Sequence, residues 1–321
     1  MTALLDAVAA AGDRLVKASG GKITFDPRRA LSRSDDLRLG EPGLWSPNRN
    51  SRLIECRDGW IAVSIAREDD RDLVPAWTGA SFGTDPWEAV VAAAAERSAG
   101  EMANGAIALH LPVALVGEAR PMPPTRISPG NARGERVIDL SALWAGPYCA
   151  GLLAEAGFDV VKIESPLRPD PTSRHLPALD ARLNGAKKRA TMALDDPELI
   201  EAIRGARVLV TSARPHALAR LGLDEARVFR LNPGLLWIAV TAHGWQGPAA
   251  LRVGFGDDCA AAGGLLVWRG PKPGFIGDAL ADPLAGMTAA TLALETLAAG
   301  GCGVLDVPLS RTAARFAEAI A

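Results

Sequence analysis

The sequence predicts an α/β protein: a doubly wound, Rossmann-like parallel-sheet domain preceded by a smaller α+β domain. Three observations predict it. Between residues 136 and 242, short apolar runs alternate with helix-like runs, the order expected of β-α-β units. Those apolar runs are hydrophobic nearly throughout instead of every second residue, as in strands covered on both faces. Residues 21–116 have another texture, one clear strand followed by helical patterns.

The elements follow in order. "MTALLDAVAAAGDRLVKASGG" lacks a basic leader, and Asp6 and Asp13 interrupt its apolar residues. It reads as an amphipathic helix over 1–20 ending at Gly20–Gly21, not a signal peptide. In 21–116, "GWIAVSIA" (59–66) is the clearest strand, entered from the turn-like "CRDG". "DPWEAVVAAAAERSAGEMANG" (85–105) reads as helical, with Asp85 as N-cap and Pro86 at the first helical position. Residues 117–135 are proline-rich and aperiodic, a linker pattern. The large domain spans 136–321. Its expected strands are 136–141, 159–165, 189–194, 207–212 and 235–242, and its expected helices 145–158, 196–205, 215–222 and 224–232. Doubly wound sheets bind ligands at the carboxyl ends of their strands, which directs attention to the loops after residues 141, 165, 212 and 242.

Composition narrows the function. The 321 residues fit about two domains; 48% are apolar and 22% charged, and the net charge is −2. That balance points to neither a nucleic-acid nor a membrane-surface partner. No charge-free run of about 18 apolar residues occurs, so no membrane span is expected and the default location is the cytoplasm. The cysteines Cys56, Cys149, Cys259 and Cys302 lie far apart without a C-x-x-C pair, which argues against a zinc or dithiol site. No G-x-G-x-x-G follows the first large-domain strand. Walker A, G-x-S-x-G and H-E-x-x-H motifs are also missing.

Three stretches resemble the class III CoA-transferases, which include formyl-CoA transferase and the carnitine CoA-transferases. They are "RVIDLSALWAGPYCAGLLAEAGFDVVKIESP" (136–166), "ARVLVTSARPHALARLGLDEARVFRLNPGLLWIAVTAHGWQGP" (206–248) and "GDALADPLAGMTAATLALETLAAGGCGVLDVPLS" (277–310). They run in the family's order with matching gaps. "LWSPNRNSRLIECRDGWIAVSI" (44–65) resembles the family's small domain. In ordinary members that domain follows the α/β domain. Here it comes first, so the chain reads as a circular permutation or a piece of a longer duplicated ancestor, with residues 1–20 standing in for the family's C-terminal return.

The resemblance implies transfer of CoA from an acyl-CoA to a carboxylic acid through an enzyme aspartate. The family's pattern D-x-x-x-G-M/L/S opens a long apolar helix. Asp282 has Gly286 and Met287 at those offsets, whereas Asp278 has Asp282 where the glycine belongs. Asp282 is therefore the expected nucleophile and Asp278 a supporting carboxylate. Helix capping by Asp282, with Pro283 at the first helical position, is the plain alternative. The resemblance also places Leu143, Trp144 and Ala145 near the thioester end of CoA, and Ser212, Ala213, Ala217 and Arg220 at its adenosine and phosphates. For Arg220 a solvated helix face is the alternative. Arg214 matches a family R-P pair, Ser165 replaces an arginine some members use for CoA, and Lys187, Lys188 and Arg189 form a cluster that meets phosphate or is simply solvated. Trp144, Phe255 and Trp268 favour an apolar acyl group over formate. Acyl-CoA is a substrate here; no tightly bound cofactor or metal is implied, and a homodimer is.

Two other readings stand beside this one. The related α-methylacyl-CoA racemases use an Asp/His pair and carry G-H-D about thirty residues before the aspartate; here Phe255 takes the histidine position. His243 follows a strand end, and its plain reading is a core or loop histidine. Asp257 and Asp258 read as turn residues or pocket carboxylates. The third reading is a CoA-binding subunit that needs a partner.

Overall fold

The structure is a computed structural model that describes residues 2–121, 127–130 and 134–320. The expected linker falls partly outside the described residues, at 122–126 and 131–133.

The small sheet comprises β1 (Ser51–Cys56), β2 (Gly59–Ser64) and β3 (Val113–Leu115), antiparallel in the order β1-β2-β3. One face packs Ile54, Ile61, Val63 and Val113 against Trp77, Val90 and Met102 of three helices, Val74–Thr78, Pro86–Glu96 and Ala99–Ala108. The expected helix over 85–105 is thus two helices. Asp85 caps the first as expected, accepting from the amides of Trp87 and Glu88. Ser98 then starts a second through a capping box with Glu101, so a local cap overrides continuous periodicity.

The large sheet has seven strands: β4 (Ile127–Pro129), β5 (Arg136–Asp139), β6 (Asp159–Glu164), β7 (Lys188–Thr191), β8 (Val208–Thr211), β9 (Leu236–Thr241) and, after a hairpin of β10 (Leu266–Arg269) and β11 (Lys272–Phe275), β12 (Gly301–Pro308). Their order is β4-β12-β9-β8-β5-β6-β7, with only the edge strand β4 antiparallel. Strand β4 lies inside the expected linker, so part of that segment extends the sheet. Alternation along the strands buries both faces. Val137, Val208, Leu236 and Ile238 meet one set of helices, and Ile138, Leu209 and Trp237 meet Leu199, Leu218 and Val228 on the other side. This is the doubly wound α/β architecture the sequence predicts. No helix among the described residues is long and apolar enough to cross a membrane.

The helix Thr2–Ala18 is not a loose arm. Leu4, Val8 and Leu15, all fully buried, join the same core as Leu284, Ala289 and Phe316 of the helices Ala281–Ala298 and Leu309–Ile320. Arg14 adds a bidentate pair to Glu295, although an exposed pair contributes at most about 1 kcal/mol. The opposite face of the small sheet, Leu53 and Ala62, packs on Ala261 and Phe275. The sheet thereby sits on the short helix Gly256–Ala262 and on β11.

Leu15→Ala is expected to lower unfolding stability by about 2–5 kcal/mol, the range for a buried leucine lost from a shared core. Urea denaturation of the full chain reads it. A change below about 0.5 kcal/mol, the scale of surface substitutions, would mean that residues 2–18 do not belong to this core.

Candidate active site

The helix Ala281–Ala298 carries Asp282 in its first turn. Leu280 occupies the cap position, and no side chain makes a cap hydrogen bond there. Capping thus does not explain the carboxylate. Gly286 lies one turn on, on the same helix face. A Cβ at Gly286 would come within 2.6 Å of the Ala145 carbonyl oxygen, so the glycine lets this helix press against the helix Ala145–Glu155. The glycine of the aspartate–glycine spacing therefore has a packing cause. Asp282 meets Gly256, where a Cβ would lie 2.4 Å from Oδ2.

The turn entering the helix is held from outside. Ala279 has φ +46°, the left-handed region that non-glycine residues seldom occupy. Its amide donates to Asp257 Oδ1 at 2.7 Å. Asp257 Oδ2 accepts from Asn48 Nδ2 at 2.9 Å and Ser51 Oγ at 3.1 Å. Asn48 also donates to Asp278 Oδ1. Arg33 grips Asp278 with two bonds, Nε to Oδ2 at 2.6 Å and Nη2 to Oδ1 at 3.1 Å. Asp258 Oδ1 accepts from Ser64 Oγ at 2.7 Å and the Phe255 amide at 2.9 Å. Four aspartates thus meet in one enclosed space, and the small domain supplies most of their partners.

Asp282 itself makes no side-chain hydrogen bond among the described residues. It keeps a partial opening to solvent. Its pKa is pushed up to about 7, by burial first, against the pull of Arg33 and with help from Asp257, Asp258 and Asp278. Burial likewise pushes Asp258 up to about 7 and raises Asp257.

The loop after β5 is fixed by two buried ion pairs. Lys187 Nζ meets Asp139 at 2.8 Å, and Lys162 Nζ meets Asp170 at 3.0 Å. Asp170 in turn accepts from the Leu143 amide at 3.2 Å, where the backbone adopts φ +69°. Leu143 points partly into solvent, Trp144 is buried, and Ala145 opens its helix. Ser212 Oγ, past the end of β8, accepts from the Ala142 amide at 3.0 Å. Strands β5 and β8 are neighbours whose chains leave in opposite directions, the switch point where doubly wound sheets hold ligands.

The structure brings Leu143, Trp144, Ala145 and Ser212 into one loop region: Ser212 Oγ accepts from the Ala142 amide, and Trp144 packs with Ala279 in the turn before Asp282. Ala213 lies exposed beside Ser212. Ala217 and the exposed Arg220 sit on the helix Pro215–Arg220, and no bond ties them to Asp282 among the described residues. Arg220 forms no ion pair among those residues either. With Arg67 and Arg168 it acts on Arg214, whose pKa falls through burial and these three positive neighbours.

Several expectations need correction. Lys187, Lys188 and Arg189 do not act as one cluster: Lys188 and Arg189 are exposed, as in a solvated run, and Lys187 is not. Lys187 is buried on Asp139, Lys188 pairs with Asp159, and Arg189 pairs with Asp180. His243 is buried, but its Nε2 has no partner among the described residues, and burial pushes its pKa down to about 3. It converges with Asp258 and Cys259, the donor atoms lying within 4.8 Å of one another. Burial holds the Cys259 thiol well above its usual range, which opposes the thiolate a metal would need. Trp268 is half exposed on the β10–β11 hairpin.

Two residues escaped sequence reasoning. Arg33 reaches Asp278 across 245 positions and Asn48 across 230. Asn48 lies inside the "SPNRN" stretch that resembles the family's small domain; nothing local singles out Arg33. Its guanidinium also stands 5.2 Å from the centre of the Trp144 ring.

The raised pKa of Asp282 has a consequence for stability. A protonated Asp282 stabilises the fold fully below the unfolded value near 4, and that contribution is lost as pH rises through about 7. Asp282→Asn, which keeps a neutral side chain, is therefore expected to match the parent near pH 4. By pH 8 it should exceed the parent by roughly 2–4 kcal/mol. Urea midpoints across pH read this, and a constant difference would show that Asp282 is not perturbed.

Comparison with known proteins bears on this geometry. The family model described as CoA-transferase family III matches residues 133–320. A succinyl-CoA–D-citramalate CoA-transferase of Chloroflexus aurantiacus is 34% identical over 180 residues, 50% of this chain and 44% of that protein. The alpha subunit of a succinyl-CoA–L-malate CoA-transferase from Chloroflexus aurantiacus is 31% identical over 210 residues, 59% of this chain and 49% of its own. The chain thus spans about half the length of these curated relatives. A crystal structure of a hypothetical protein from Mycobacterium tuberculosis superposes with a TM-score of 0.51 at 27% identity, covering 58% of this chain and 57% of that one. By the extent of the family match, over an α/β sheet of the expected kind, the chain belongs to CoA-transferase family III.

Proposed function

We propose that this protein moves CoA from an acyl-CoA to a carboxylic acid, with Asp282 as the covalent carrier. The observation that carries the reading is the state of Asp282. It is a carboxylate that makes no side-chain hydrogen bond among the described residues, walled by Gly256 and close to the Arg33 charge. A carboxylate free of donors keeps its lone pairs for attack, and a pKa near 7 leaves a sizeable ionised fraction at neutral pH.

The steps balance without a proton. An Asp282 oxygen attacks the thioester carbonyl, and the carbon–sulfur bond breaks to give a mixed anhydride and CoA thiolate. The thiolate attacks the aspartyl carbonyl, releases the donor's acid and leaves an aspartyl-CoA thioester. The incoming carboxylate attacks that thioester and frees the thiolate again. Its return to the new acyl carbonyl yields the product acyl-CoA and restores Asp282. Thioester energy is conserved only if water stays out, which the packed small sheet favours. CoA would run from the Leu143–Ala145 loop along Ser212 and Ala213 to Ala217 and Arg220, where Arg214 and its cationic neighbours suit phosphates. Buried Trp144 suits an apolar acyl group.

A second reading has its own support. The chain matches about half the length of its relatives, and one of them is an alpha subunit. The protein would then bind CoA and depend on a partner for turnover. The racemase reading has little: Phe255, in place of the family's histidine, supplies no proton-transfer group.

Mass spectrometry after incubation with a panel of acyl-CoAs, quenched with hydroxylamine or borohydride, tests the proposal. Modification at Asp282 is expected. Asp282→Ala should reduce transfer by on the order of 1,000-fold or more while leaving CoA affinity nearly unchanged. CoA binding with no adduct at any residue would favour the partner-dependent subunit.

A further inference from the structure

We propose that Arg33 receives the carboxylate of the incoming acid on the free Nη1 edge of its guanidinium, with the Trp144 ring beside it. This rests on Asp282 being the covalent carrier. Transfer to a carboxylate poses an electrostatic problem. The acid must approach a space already lined by Asp257, Asp258 and Asp278, and like charges repel strongly where water is scarce. Arg33 is the cation whose charge acts on Asp282 against those three.

The guanidinium is also preorganised for the task. Nε and Nη2 are committed to Asp278, which fixes the plane of the group. Nη1 makes no hydrogen bond among the described residues, and the side chain keeps 16% of its surface exposed beside a nearly buried Asp278. A planar fork held along one edge presents its remaining N–H donors in a set direction. The Trp144 ring lies against the group, its centre 5.2 Å from the guanidinium carbon.

Charge changes during the cycle favour the timing. Asp282 as a thioester carries no charge, so the loaded enzyme has one negative group fewer around Arg33. The incoming carboxylate then takes the place of the charge that loading removed. In this step its oxygen bonds to the aspartyl carbonyl carbon, the carbon–sulfur bond breaks, CoA leaves as thiolate, and no proton moves. The substrate class follows from the chemistry: any acid whose carboxylate reaches Arg33, with discrimination left to the acyl chain. A neutral nucleophile needs no such partner.

The test uses the full chain and its Arg33→Gln and Arg33→Lys variants. Each is loaded with the acyl-CoA that labels wild-type Asp282 most strongly. Discharge is then followed with two nucleophiles: the same acid carrying a carbon-13 label, and neutral hydroxylamine. In Arg33→Gln the KM for the labelled acid is expected to rise about 30–100-fold, the scale of a lost charge-assisted hydrogen bond, well beyond the change in hydroxylamine discharge that loosening Asp278 brings. Arg33→Lys should recover part of the loss. An unchanged KM for the acid would overturn the assignment. Equal loss with both nucleophiles would also overturn it, because that marks a structural role. If wild type itself never loads, the reading of Asp282 falls and takes this one with it, and the wild-type control tells the two failures apart.

Discussion

Asp257 is the constraint on which the site depends. One buried carboxylate holds the strained Ala279 turn, the Asn48 amide and the Ser51 hydroxyl. It thereby joins the start of the long helix to the first strand of the small sheet. A buried charge is tolerable when its oxygens are fully engaged, and here those bonds also fix the turn that precedes Asp282. The pair of Asp278 and Arg33 extends the same logic outward, from the turn to the Trp144 ring. Position and electrostatics are linked here: after burial, the charges that act on Asp282 are those of Arg33, Asp257, Asp258 and Asp278, which this network holds in place.

The loop opposite is built on the same plan with different residues. Lys187 and Lys162 reach under it and pair with Asp139 and Asp170 in the interior. Removing one member of such a pair leaves an unpaired buried charge, so both lysines are committed to structure and cannot serve a ligand. Under the proposed function, phosphates would fall to the group around Arg214 and Arg220, past the strand ends. The division is physical: buried cations stiffen the loop, exposed ones are free to meet a substrate.

The fold was legible because burial on both faces writes long apolar runs into the chain, and residues 136–242 are made of them. The break at Ser98 was not read, because a capping box of two residues ended a helix whose apolar pattern continued. At the site, Asp282 stood out through its spacing to Gly286, and the structure supplies the cause: the glycine admits the neighbouring helix. Arg33, Asn48 and the aspartates they hold are a different case. Their partners lie more than two hundred positions away, and no periodicity encodes a contact at that range. Lys187 was hidden for the same reason, since a string of cations does not show which member a buried carboxylate will take.

The small sheet touches the site through Ser51, Ser64 and the packing of Leu53 and Ala62 on Ala261 and Phe275. Those contacts roof the site and help to bury Asp257, Asp258 and Asp282, and burial is what raises the pKa of these three. Lifting the roof would hydrate Asp282, drop its pKa toward that of an ordinary aspartate and release Ala279 from its turn. An open molecule would hold a well-solvated, misaimed carboxylate, and a closed one holds a dry, aimed one. Reactivity and water exclusion thus depend on the same contacts, and a thioester at this position would be shielded for as long as it could react.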